Sequence, residues 1–151
     1  MNKTIADPSA HPNAQAYRAE VALSGDAAQD QGERARAARQ LVRAAPALFR
    51  RGLLVGLDGN LSLRLADGSL LITPSGAVKG WLRPRDLLRI DSGGQVIDGP
   101  AMARPSSETA MHLAAYRDRP EVRAVIHAHP PALVACSVLG LPLFSDALPE
   151  A

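Results

Sequence analysis

The sequence predicts a mixed domain of helices and strands, either α+β or a layered α/β/α sandwich. Short alternating runs separated by Asp-Gly and Gly-Gly turns recur between residues 58 and 98, the pattern of antiparallel hairpins. Helical periodicity flanks them, at Glu33–Phe49 before and Ser106–Tyr116 after. At 151 residues the chain is one domain's worth of sequence, long enough to bury a core.

Residues 1–31 are polar and Ala-rich, carry Pro8 and Pro12, and show no sustained period. They are expected to form a disordered extension, with the domain proper at 32–151. From Glu33 the pattern turns helical. Ala37, Leu41, Ala44 and Leu48 recur at i, i+4, i+7 and i+11, with arginines on the opposite face. Pro46 lies inside that pattern and should kink or split the helix. Asp58-Gly59-Asn60 is a turn, and Leu61 to Leu65 alternates as a half-buried strand does. Asp67-Gly68 turns the chain into a second strand, Ser69–Thr73, which Pro74-Ser75-Gly76 ends. Leu87–Asp91 and Gln95–Ile97 flank Ser92-Gly93-Gly94 as a second hairpin. Ser106–Tyr116 is a helix with serine at its start, Val122–His127 a strand, and Pro131–Leu139 a short apolar helix with proline in its first turn.

Composition narrows the function classes. The formal net charge is only +2, and nearly all positive charge is arginine, with Lys3 and Lys79 the only lysines. A solvated helix face accounts for the arginines, so no nucleic-acid partner is expected. Cys136 is the only cysteine, which excludes an internal disulfide and suits a reducing compartment. Met1–Tyr17 lacks the apolar core of a signal peptide. The most apolar region, 124–144, contains two histidines and Pro130, Pro131 and Pro142, which argues against a membrane helix. A cytoplasmic protein is expected.

The most informative residues are His127 and His129. They end an alternating apolar run, and residues two apart on a strand share a face, so both imidazoles could hold one metal ion. Glu108, opening the helix upstream, would add a carboxylate, making a zinc-type site with one position unfilled. The pair alone also fits two polar residues hydrogen-bonded at a strand end. Ser106-Ser107-Glu108 offers hydroxyls and free backbone N–H groups to an anion, or is an ordinary N-cap. Gly59-Asn60 and Thr73-Pro74-Ser75-Gly76 are turns that could present N–H groups in the same way. His11 falls in the expected tail. His112 is expected on the helix surface, pointing away from the anion site.

Taken together these motifs resemble a known family. Gly-Leu-Asp-Gly-Asn-Leu-Ser (56–62), Ile-Thr-Pro-Ser-Gly (72–76), Lys79-Gly80 through Asp86-Leu87-Leu88, Pro-Ser-Ser-Glu-Thr (105–109) and His-Ala-His-Pro-Pro (127–131) look like the class II aldolase/adducin family in order and spacing. The match is nearest to aldolases of the fuculose-phosphate type. The resemblance implies a three-layer α/β/α sandwich with a central, largely antiparallel sheet, incomplete at the C-terminus. It implies a zinc-dependent lyase that cleaves a phosphorylated sugar to dihydroxyacetone phosphate and an aldehyde, with Zn2+ as cofactor. His127 and His129 would be two of three zinc histidines, the third falling beyond this chain. Glu108 would be the acid/base that also approaches the metal. Gly59, Asn60, Thr73, Ser75, Gly76, Ser106 and Ser107 would cradle the substrate phosphate. A full-length form would be a homotetramer. The alternative is a catalytically silent fragment or protein-interaction module of the same fold, lacking the third histidine.

Overall fold

The fold was analysed in a computed structural model, which describes residues 14–142, with side chains described from Ala28 onward. A long helix, α1 (Ala14–Arg50), precedes two hairpins, β1 (Asn60–Arg64) with β2 (Leu70–Ile72) and β3 (Leu88–Ile90) with β4 (Val96–Asp98). Then come α2 (Thr109–Asp118), β5 (Ala124–His127) and α3 (Pro131–Val138). The five strands form one sheet in the order β4-β3-β2-β1-β5, every adjacent pair antiparallel.

Alternation along the strands sorts the two faces. Leu61, Leu65 and Leu71 pack with Ala37, Ala38, Leu41 and Ala45 of α1. Leu70, Ile72, Leu88 and Ile90 pack on the opposite face with Tyr116 and Leu113 of α2. The result is the expected helix–sheet–helix layering. Arg89 is the exception that ties the layers. It sits between buried Leu88 and Ile90, and its guanidinium reaches Asp30 of α1 at 3.1 Å and Asp67 at 2.6 Å. Glu33 adds a second tie by accepting the Ala66 N–H at 3.0 Å.

Two expectations about the first helix are corrected. The helix begins at Ala14, so residues 14–31 are not an unstructured extension; residues 1–13 lie outside the described residues. Alanine's high helix propensity outweighs the weak apolar period there. Of the kink or split expected at Pro46, the split is excluded, since the residue lies inside a continuous α1. The lost N–H is offset by packing, since Ala45 is fully buried and Leu48 and Phe49 touch the same core.

No described helix is long and apolar enough to cross a membrane. One side of the sheet is thinly covered: α3 has no buried residue, and Ile126, Val138 and Leu139 are 51%, 81% and 71% exposed. An exposed edge strand beside an apolar helix favours association. The 151-residue chain is expected to self-associate, and V138D with L139D should shift it toward monomer in sedimentation velocity. A parent chain that stays monomeric at high concentration would contradict this.

Candidate active site

Gly59 sets the entry to β1. Its φ is +71°, and a Cβ there would lie 2.7 Å from the His127 carbonyl oxygen and overlap Leu54. Only glycine lets the chain turn so close to β5. The next residue, Asn60, is then paired directly with His127 across the ladder. Ser62 follows on the same face, opposite Val125. A backbone hydrogen bond from His129 N–H to the Leu53 carbonyl, 3.0 Å, fixes the second residue past the strand.

α2 supplies the facing groups. Glu108 is its N-cap residue, and His112 and Tyr116 follow at four-residue spacing on the side that meets β1. The Glu108 Oε2 atom accepts from Asn60 Nδ2 and lies 2.6 Å from His127 Nδ1. The His127 and His129 rings are 4.6 Å apart between centroids. One ligand atom each from Glu108, His127 and His129 falls within 4.8 Å of the others. Two imidazoles and a carboxylate so gathered, none of them fully buried, fit a zinc ion that keeps an open position.

Beside this cluster lies a polar cleft of about 150 Å³ lined by Gly59, Asn60, Ser75, Gly76, Ser106, Ser107, Glu108 and His129. A larger hollow near Arg64, Leu113 and Tyr116 has mostly apolar walls and no carboxylate, imidazole or thiol in its lining. The structure therefore gathers the sequence-predicted residues, with one exception. Thr73 is fully buried, and its hydroxyl accepts the Leu61 N–H at 3.2 Å within the sheet, outside the cleft lining.

Lys79 stood in a quoted motif without a role, and His112 was misplaced. Lys79 is 2% exposed, lines the cleft, and donates to the Leu57 carbonyl at 2.6 Å. It is the one cation among the lining residues described. Burial pulls its ammonium below its usual value, while Asp58 and Glu108 pull the other way. Its rarity in an arginine-dominated chain was the available signal. His112 is not on the helix surface but fully buried, facing β1. Its Nδ1 meets Ser62 Oγ at 2.6 Å, and Nε2 meets Asn60 Oδ1. The Asn60-x-Ser62 and Glu108-x3-His112-x3-Tyr116 spacings, read together, would have placed it there.

Burial raises the Glu108 carboxyl, but hydrogen bonds from Asn60 and His127 outweigh it and leave the group below the ordinary range. His112 behaves oppositely as a base: burial lowers it from 6.5 to about 4, with His127 adding to the effect. The unfolded chain thus binds more protons than the folded one between pH 6.5 and 4. Stability should fall as pH drops through that window, by up to about 3 kcal/mol from this residue. Urea unfolding of the parent and H112Q at pH 7 and 4.5 checks it. The parent should lose more stability than the variant, and equal losses would contradict the assignment.

Comparison with known proteins shows what the chain is similar to. The family model described as the class II aldolase and adducin N-terminal domain matches residues 39–150. A methylthioribulose-1-phosphate dehydratase of Methylococcus capsulatus is 42% identical over 68% of this chain and 48% of its own. A 3-oxo-tetronate 4-phosphate decarboxylase of Pectobacterium atrosepticum is 40% identical over 69% and 46%. The solved L-fuculose 1-phosphate aldolase of Glaciozyma antarctica superposes with a TM-score of 0.68 at 29% identity, over 75% of this chain and 47% of that one. The chain spans about half the length of the curated relatives it matches. With the family model, the layered fold and the gathered motifs in agreement, this chain belongs to the class II aldolase and adducin family.

Proposed function

We propose that these residues form the metal- and phosphate-binding part of a zinc-dependent, aldolase-type lyase acting on a phosphorylated sugar. The observation that carries the reading is the position of Glu108, which borders the imidazole pair on one side and the polar cleft on the other. His127, His129 and Glu108 would hold the ion. Zinc, when bound, supplies Lewis-acid stabilisation of negative charge developing on a carbonyl oxygen. Gly59, Asn60, Ser75, Gly76, Ser106 and Ser107 would grip the substrate phosphate through N–H and hydroxyl donors, with Lys79 as their fixed positive charge. Thr73 would contribute from behind, holding β1 to the loop that carries Ser75 and Gly76. Glu108 would move the proton at the carbon next to the carbonyl.

Retro-aldol cleavage to dihydroxyacetone phosphate and an aldehyde is the reaction proposed. The relatives' names also include a dehydratase and a decarboxylase of phosphorylated sugars. All three reactions pass through charge delocalised onto a carbonyl oxygen, so the same residues would serve each up to the bond that breaks. The proposal is for a protein of the relatives' length, assembled as a homotetramer in the cytoplasm. A catalytically silent interaction module is the weaker reading, because it gives the gathered carboxylate and imidazoles no task.

The test is proton exchange at the reacting carbon of dihydroxyacetone phosphate in heavy water, followed by NMR. It uses the chain joined to the C-terminal half that its relatives carry. E108Q should slow exchange by roughly 100-fold or more. K79M should weaken binding of the sugar phosphate by about 10-fold or more. Exchange that survives E108Q undiminished would defeat the acid/base role, and unchanged affinity in K79M would defeat the role of the lysine.

A further inference from the structure

The polar groups between α2 and β1 form an unbroken hydrogen-bonded series that ends on Glu108. Tyr116 Oη lies 2.8 Å from Ser62 Oγ, and Ser62 Oγ lies 2.6 Å from His112 Nδ1. His112 Nε2 meets Asn60 Oδ1, and Asn60 Nδ2 meets Glu108 Oε2. Asn60, Ser62 and His112 are each at most 3% exposed, and Tyr116 is 5% exposed. The series is therefore shielded from bulk water.

The direction of the series follows from its end. An ionised carboxylate only accepts, so Asn60 must present its NH2 group to Glu108 and its carbonyl to His112. The His112 ring must then carry its proton on Nε2, which leaves Nδ1 bare. Ser62 must donate to Nδ1, and its oxygen is left to accept from the Tyr116 hydroxyl. Turning the Asn60 amide over would set its carbonyl against the carboxylate oxygen. A switch of the imidazole tautomer could satisfy the far side of the amide but not that contact, so one arrangement satisfies every group.

We infer that His112 and Ser62, backed by Tyr116, are positioning residues: their one-way hydrogen-bond relay locks the Asn60 amide so that it holds Glu108 Oε2 in place beside His127. Glu108 Oε2 then has a fixed donor on each side, Asn60 Nδ2 and His127 Nδ1. Donors in series polarise one another, which strengthens the last bond, the one to Glu108. Outer partners that orient ligating groups are worth on the order of 10-fold or more in metal affinity. The relay's importance for catalysis rests on the function proposed above, but its existence and direction do not.

Nitrogen-15 NMR of histidine-labelled 151-residue chain at neutral pH reads the relay directly. His112 should show a protonated Nε2 and a bare, pyridine-like Nδ1. S62A removes the donor to Nδ1 while the Asn60 carbonyl still holds the ring proton on Nε2, so it should move the Nδ1 resonance to that of an unpaired ring nitrogen, broaden or move the Asn60 side-chain amide signals, and weaken zinc binding about 10-fold. Y116F leaves the Ser62 hydroxyl in place, so it should keep the tautomer and lose less zinc affinity; a role in packing alone would not separate the two variants in this way. A proton on Nδ1 in the parent overturns the inference. So does an S62A chain with an unchanged Nδ1 resonance, or one whose Nδ1 resonance moves while zinc affinity and the Asn60 signals stay as in the parent. If the parent binds no zinc, zinc affinity is read on the chain extended to its relatives' length; absence of binding there defeats the proposed function, and the tautomer and the Asn60 signals still decide the relay. Should S62A fail to fold, the parent tautomer and Y116F decide it.

Discussion

The pairing of Asn60 with His127 in the β1–β5 ladder is the constraint on which the site depends. It brings together two segments 67 positions apart in sequence and puts their side chains on one face of the sheet. Gly59 makes the approach possible, because a side chain there would collide with the His127 carbonyl. Once that register is set, strand alternation aligns Ser62 with Val125, and helix spacing aligns Glu108, His112 and Tyr116 against them. A one-residue slip would turn the whole polar set away from α2.

Stability and function meet in the same residues. Four polar side chains, Asn60, Ser62, His112 and Tyr116, are buried between helix and sheet where an aliphatic core would otherwise stand. Each is satisfied by another member of the set, and no buried side-chain polar atom among the described residues lacks a partner. Such a network specifies one arrangement because every alternative leaves groups unpaired. Lys79 follows the same logic in the cleft, where the Leu57 carbonyl holds a buried ammonium whose charge faces Asp58 and Glu108.

Much of this was legible in the sequence. The hairpins, the helix after them, and the His127–His129 pair on a strand end followed from period and turn chemistry, and their antiparallel pairing is observed. The family resemblance added the layering, which the two packed faces bear out. The misses have physical causes. His112 looked like a surface residue because its burial depends on Asn60 and Ser62, some fifty positions away. The place of Thr73 behind the cleft was not legible either, because a short motif does not show that its hydroxyl accepts the Leu61 N–H within the sheet. The early start of α1 and its passage through Pro46 reflect alanine propensity and packing, neither of which an apolar period measures.

The account stands on Glu108, His127 and His129 meeting at one ion, and X-ray absorption on the zinc-loaded chain tests that most directly. The account predicts a low-coordinate zinc with only nitrogen and oxygen neighbours at about 2.0–2.2 Å, and scattering from two imidazoles. One imidazole should vanish in H127A and one in H129A. A sulfur neighbour at about 2.3 Å, or an imidazole count unchanged by either substitution, would contradict it.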